Sequence, residues 1–268
     1  MRYNGTVLAL DTSTAAMSAA VLRGGEVLAE IESIAERNHS VHVITHVQAM
    51  LKQASVGRDE LDAIVVGSGP GSYTGMRIAV TAAKTLAWVW EKPLVGISSL
   101  EAIAYGALHE GIGAKEGELF NKLTGAHWVI PVMDARRGQV YGAAFKGSIG
   151  AGWCRFREDG VRIMLDWVDD IVREAKELQG EERPVIWLTG DPSLHGEAAG
   201  KLQTAGEAAG IAVHVLPHVL KGRFLAQLGM RQLSAGLTEN VHTFAPNYTQ
   251  LTEAEVKLEA RQAGGEQQ

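Results

Sequence analysis

A chain of 268 residues, 46% hydrophobic and 21% charged, holds enough apolar material for a substantial core in one large domain or two lobes. Its net charge of −6 and pI of about 5.9 exclude unaided gripping of a nucleic-acid backbone unless a local basic patch or a basic partner helps. The single cysteine, Cys154, excludes an internal disulfide, and no Cys/His spacing around it suits zinc. No apolar run approaches the roughly 20 residues of a membrane helix, and the first residues lack a charged-then-apolar leader, so the expected compartment is the cytoplasm.

In chain order, residues 6–10 form a strand that ends on Asp11. Small residues then turn the chain into a second apolar run over 18–22. Past Arg23-Gly24-Gly25 a third covers 26–34, which predicts an antiparallel meander. A helix is expected from about Ser40 to Ala54, because Val43, Ile44, Val47, Met50, Leu51 and Ala54 share one face at 100° per residue. Residues 62–67 form a buried strand. The loop Ser68-Gly69-Pro70-Gly71-Ser72 leads into a helix near Thr74, followed by a strand in PLVGIS and a helix near Ser99. Strand–helix–strand order implies parallel pairing and an α/β lobe. The Gly-rich, polar stretch 109–125 has no clear period and marks a lobe boundary.

The pattern then begins again. A strand ends at Asp134, Arg136 and Arg137 form a basic turn, and a second strand returns. A helix over 167–178, a strand over 185–188, the segment TGDPS, a helix, a strand over 213–216 and a helix over about 223–236 complete the series. Strand–Asp–turn–strand therefore occurs over 8–21 and again over 130–145. The expected fold is α/β: two duplicated βββαβα lobes, 1–108 and 109–268, facing each other across a cleft as in the actin-like (Hsp70/hexokinase) architecture, with the C-terminal helix packing back on the first lobe.

The Gly-rich loop resembles a phosphate cradle, since close backbone N–H groups and a helix N-terminus favour an anion. It lacks the P-loop lysine, however, and its spacing misses the dinucleotide fingerprint. A tight strand-to-helix turn is the plainer account, with Pro70 fixing φ and Gly71 free to take a positive one. The helix that follows carries two apolar stripes. One holds Met76, Val80, Ala83, Ala87 and Trp90, the other Ile78, Ala82, Thr85 and Val89. A helix apolar around most of its girth must be covered on two sides. One side can lie on its own sheet, and the other needs a second cover from this chain or from a partner.

LALDTST, GPGSYTGMRIAVTAAKTLAW, GISSLEAIA and MDARRGQVYGA, with Asn38-His39-Ser40 and PNYTQLTEAEVK near the C-terminus, resemble the TsaB (YeaZ) family over most of the chain. The resemblance implies a non-catalytic scaffold of actin-like fold that pairs with the related transferase TsaD, forms a homodimer when alone, and is joined by the ATPase TsaE. The assembly uses ATP and Mg²⁺ to place threonylcarbamoyl, from an adenylate made by TsaC, on the adenosine beside the anticodon of tRNA. It also implies an interface on the helices of the first lobe, here His42, His46, Met50, Met76, Val80, Ala83, Ala87 and Trp90. The family's NYLRLAEAE pattern is altered to Thr249-Gln250 at its Leu-Arg pair.

Asp11 and Thr12 at the first hairpin, Asp134 at the second, and Gly190-Asp191 in TGDPS occupy phosphate- and metal-facing places in actin-like enzymes. TGDPS supplies one glycine where a second phosphate loop normally needs consecutive ones, so degenerate acids capping turns are the expectation. An actin-like ATPase or kinase is the alternative. His39, His42 and His46 fall within about 60° on a helix, and two at i,i+4 could hold a metal, but no carboxylate on that helix completes a site. Ser13 and Ser72 have no visible base, and Arg136-Arg137 form either an anion contact or a solvated turn.

Overall fold

The expected meander forms because its first two strands are apolar on both faces and the turn into the third holds glycines at positive φ, Gly24 (58°) and Gly25 (95°). In the computed structural model, which describes residues 3–34, 39–115 and 117–249, it comprises β1 (Thr6–Asp11), β2 (Ala16–Arg23) and β3 (Glu26–Ile34). Helix α1 (His39–Gln53) follows, then β4 (Ala63–Gly67), α2 (Tyr73–Val89), β5 (Leu94–Ile97) and α3 (Ser99–Ile112). The first sheet has the order β3-β2-β1-β4-β5, with β4 and β5 parallel to β1.

A one-turn helix, α4 (Leu119–Lys122), lies in the stretch without period. Helix α3 also runs into that stretch and stops at Gly113, whose left-handed φ of 64° lets its N–H reach the carbonyls of His109 and Glu110. The pattern then repeats as β6 (Ala126–Arg136), β7 (Gln139–Ser148), β8 (Gly152–Ile163), α5 (Met164–Glu177), β9 (Val185–Gly190), α6 (Gly196–Ala209), β10 (Val213–Pro217) and α7 (Gly222–Ser234). The second sheet has the order β10-β9-β6-β7-β8, the same arrangement as the first.

Side chains on β1 alternate between two cores, as a period of two requires. Leu8 and Leu10 meet α1 and α2 on the outer face, while Val7 and Ala9 join the inner core. Helices on both faces explain why the central strands are apolar throughout. On the far side, Trp167, Val168, Ile171 and Val172 of α5 and Leu202 of α6 cover the second sheet.

The inner core laces the halves together. Helix α3, at the end of the first half, lies on β6, β7 and β9. Helix α7, at the end of the second, lies on β1, β2 and β5. Close contact there depends on missing side chains: a Cβ at Gly222 would overlap Ala19, and one at Gly229 would overlap Val65. The layers run α1/α2, first sheet, α3/α7, second sheet, α5/α6. This duplicated strand order, with helices on both faces of each sheet, is the two-lobed actin-like fold.

Candidate functional site

Asp11 ends β1 and is wholly buried. Its Oδ1 accepts from the Ser13 N–H (2.6 Å) and the Ser13 hydroxyl (2.7 Å), and its Oδ2 accepts from the Ser99 hydroxyl (2.5 Å). Burial pushes the Asp11 carboxyl above its usual range, while these bonds from Ser99 and Ser13 pull the other way. Gly67 faces it directly, and a Cβ at Gly67 would overlap Oδ2.

The Gly-rich loop lies over this acid. Ser72 N–H donates to the Ser13 carbonyl (2.7 Å), and Thr12 Oγ1 donates to the Gly75 carbonyl (2.6 Å). A Cβ at Gly71 or Gly75 would overlap the backbone of Ser13 or Thr12. Gly69 N–H donates to Ser99 Oγ (3.1 Å), and Ser99 N–H donates back to the Gly69 carbonyl (2.9 Å). The glycines that suggest a phosphate cradle in the sequence instead let the loop sit on the Asp11 turn. A phosphate-bridged cation does not fit at Asp11, because both carboxylate oxygens are engaged and no surface remains.

The other acids expected at a phosphate site, Asp134 and Asp191, are engaged locally. Asp134 Oδ1 lies 3.3 Å from His195 Nε2. Asp191 Oδ1 accepts from the Ser193 N–H (3.3 Å) and the Ser193 hydroxyl, an Asx turn in which Pro192 follows the acid. Gly190 has φ of 88° and abuts the Val132 carbonyl, so it serves strand-to-turn geometry. His195 has no separate signal in the sequence. It is reached only because the turn after β9 folds back towards Asp134. Arg136 (φ 68°) and Arg137 (φ 54°) form an exposed, left-handed hairpin tip.

The helix residues expected at a partner interface divide sharply. Met50, Met76, Val80, Ala83 and Ala87 are all less than 5% exposed and belong to the outer core between α1, α2 and the first sheet. They form the sheet-facing stripe and cannot meet a partner, which corrects their assignment as contact residues. Trp90 is half-buried. His46 is half-buried, with Nδ1 3.3 Å from Met17 Sδ, while the side chains of His39 and His42 lie outside the described residues. The solvent side of α2 carries Tyr73 (48% exposed), Trp88 (63%) and Val89 (60%), and α1 exposes Ile44. Tyr73 at the start of α2 and Trp88 and Val89 at its end are the large apolar side chains of its open side. Of the second stripe, Ile78, Ala82, Thr85 and Val89, the first two are partly covered by this chain itself, since Val241 and Phe244 pack on the same core.

The family profile described as "TsaD: tRNA N6-adenosine threonylcarbamoyltransferase" matches residues 31–258. The tRNA threonylcarbamoyladenosine biosynthesis protein TsaB of Bacillus subtilis (strain 168) is 34% identical over 252 residues, covering 94% of this chain and 97% of that protein. The chain belongs to the TsaB family. The TsaB of Escherichia coli (strain K12) is 33% identical over 147 residues, 55% of this chain and 58% of that one. A crystal structure from Pseudomonas aeruginosa, described as similar to peptidase YeaZ, superposes with a TM-score of 0.67 at 23% identity, covering 92% of this chain and all of that one. That likeness bears on the fold, and the TsaB fold is the two-lobed one found here. Among the described residues no group of three or more His, Cys, Asp or Glu could hold a metal ion, and no helix is long and apolar enough to cross a membrane.

Proposed function

We propose that this TsaB-family chain is the non-catalytic subunit that pairs with a TsaD-type transferase and holds it in working form during threonylcarbamoyladenosine synthesis in cytoplasmic tRNA. The observation that carries this reading is the sealed Asp11. The acid that an actin-like enzyme would turn towards metal and phosphate is buried, bonded to Ser13 and Ser99, and covered by the Gly-rich loop. ATP and Mg²⁺ are then used by the assembly, with TsaE, and not by this chain. The open face of α2 supports the pairing role. Tyr73, Trp88 and Val89 expose large apolar area where water gives no return, and a related fold offers a matching helix face. The same face pairs two copies of this chain when TsaD is absent.

Reconstitution of tRNA modification from purified components tests both halves. Activity is expected to require this chain and to survive Asp11→Asn, which keeps the shape and an acceptor for Ser13. Trp88→Glu is expected to abolish pairing on size exclusion and to remove activity with little change in stability. Turnover of ATP by the isolated chain that disappears in Asp11→Asn would instead establish an enzyme.

A further inference from the structure

After α7 the chain does not trail away. It crosses the first sheet's edge, where Glu239 N–H donates to the Leu94 carbonyl (2.8 Å). The Phe244 ring then fills the space above Gly96, where a Cβ would strike it. Lys84 of α2 donates through Nζ to the Phe244 carbonyl (2.6 Å) and to that of His242 (3.4 Å). Asn247 N–H donates to the carbonyl of Ser68 (2.8 Å), the first residue of the Gly-rich loop. Two aromatic contacts bring this segment to the open face: Tyr248 lies 5.4 Å from Tyr73, and His242 lies edge-on to Trp88 at 6.2 Å.

The other end of the connection is in the second lobe. Asn247 Nδ2 donates to Asp159 Oδ2 (3.0 Å) on β8. Asp159, whose side chain is 7% exposed, pairs with Arg155, and Arg155 lies 3.5 Å from Glu101 of α3. Trp153 Nε1 donates to Glu101 as well (3.1 Å). A largely buried, mutually bonded set of this kind holds its members in one geometry, because each lost partner leaves a mostly desolvated group unpaired.

We infer that residues 239–249 are a positioning strap: they set the docking face of α2 by tying it, through Asn247, to Asp159 of the second lobe, which Arg155 joins in turn to Glu101 of α3. The inference rests on the pairing reading above and adds to it the residues that hold the surface in shape. Tyr248 and His242 then belong to the face itself, beside Tyr73 and Trp88, and the partner meets a composite of helix and strap. A strap fixed at both ends lowers the ordering cost of binding, which raises affinity without any new contact.

The test uses the full chain and a TsaD-type partner, with affinity by calorimetry and stability by thermal melting. Asn247→Asp would set two carboxylates against each other across the present 3.0 Å bond. Pairing is expected to weaken by about tenfold or more. The double variant N247D/D159N reverses donor and acceptor and is expected to restore most of the affinity. Such rescue is a response that loss of general stability would not give. Normal affinity in Asn247→Asp while Trp88→Glu abolishes pairing would overturn the strap and leave the docking face intact. So would weakening in Asn247→Asp that the double variant does not restore although its melting temperature recovers. Normal pairing in Trp88→Glu would overturn the docking face and the strap with it.

Discussion

Asp11 and Gly67 form a unit in which one residue has a buried carboxyl group and the other has no side chain to obstruct it. Gly67→Ala is expected to destabilise the fold by about 3 kcal/mol or more, seen as a lowered denaturant midpoint, because the new methyl overlaps a carboxylate that cannot move. Asp11→Ala removes the acceptor of three donors and is expected to cost on the order of 3 kcal/mol. For Asp11 the pH sign follows from its raised pKa. The native state holds this proton to higher pH than the unfolded chain does, so the group's contribution falls as pH rises from about 3.8 through the native value. Asp11→Asn should remove that fall, which unfolding curves of the two proteins at several pH values would reveal. The sequence places Asp11 at the tip of a hairpin but not under a lid. Its burial depends on Ser99, which is 88 residues away in the chain.

Among the elements, α2 gives the clearest lesson. Its period is legible, and the spans of α1, α5 and α7 lie close to the expected ones. Periodicity identifies two apolar stripes but does not say which of them meets the sheet. Met76, Val80, Ala83 and Ala87 form the inner one, because alanines let α2 approach β1 and β4 closely. Ala83→Asp is therefore expected to unfold the protein, at about 3 kcal/mol or more, and not to act as an interface variant. A melting curve separates this from Trp88→Glu, whose site is 63% exposed. Strand β8 and helix α4 had no assigned spans in the sequence pattern. The alternation in β8 is broken by Arg155, Arg157 and Arg162, which lie on a sheet edge and satisfy neighbours rather than a core.

For the molecule as a whole, the crossing of α3 and α7 makes the seam between halves a shared core. His218, just past β10, is buried there between Glu110 and Lys221. Burial lowers its pKa to about 4, with Glu110 opposing and Lys221 reinforcing the shift. Burial also lowers His109, which packs in edge contact with Tyr105 on the same seam and has Arg231 and Glu110 nearby, and it lowers His127, whose Nδ1 accepts from Trp187. The native state resists protons that the unfolded chain accepts, so stability is expected to fall as pH drops from about 6.5 towards 4. The His218 share is on the order of 3 kcal/mol, and denaturant titrations at stepped pH should show a flatter profile for His218→Gln.

By itself the sequence determined the duplicated pattern, the two lobes it implies and the family, because short-range period, turn glycines and the motifs around Asp11, Gly71 and Asp134 are local properties. The tertiary structure alone decided that the Gly-rich loop seals Asp11, that α3 and α7 exchange sheets, that the sheet takes the alanine stripe of α2, and that the C-terminal segment returns to its open side. Each of these depends on close approach between residues far apart in the chain. Such contacts are selected by volume and hydrogen-bond satisfaction in three dimensions, and a linear pattern carries neither.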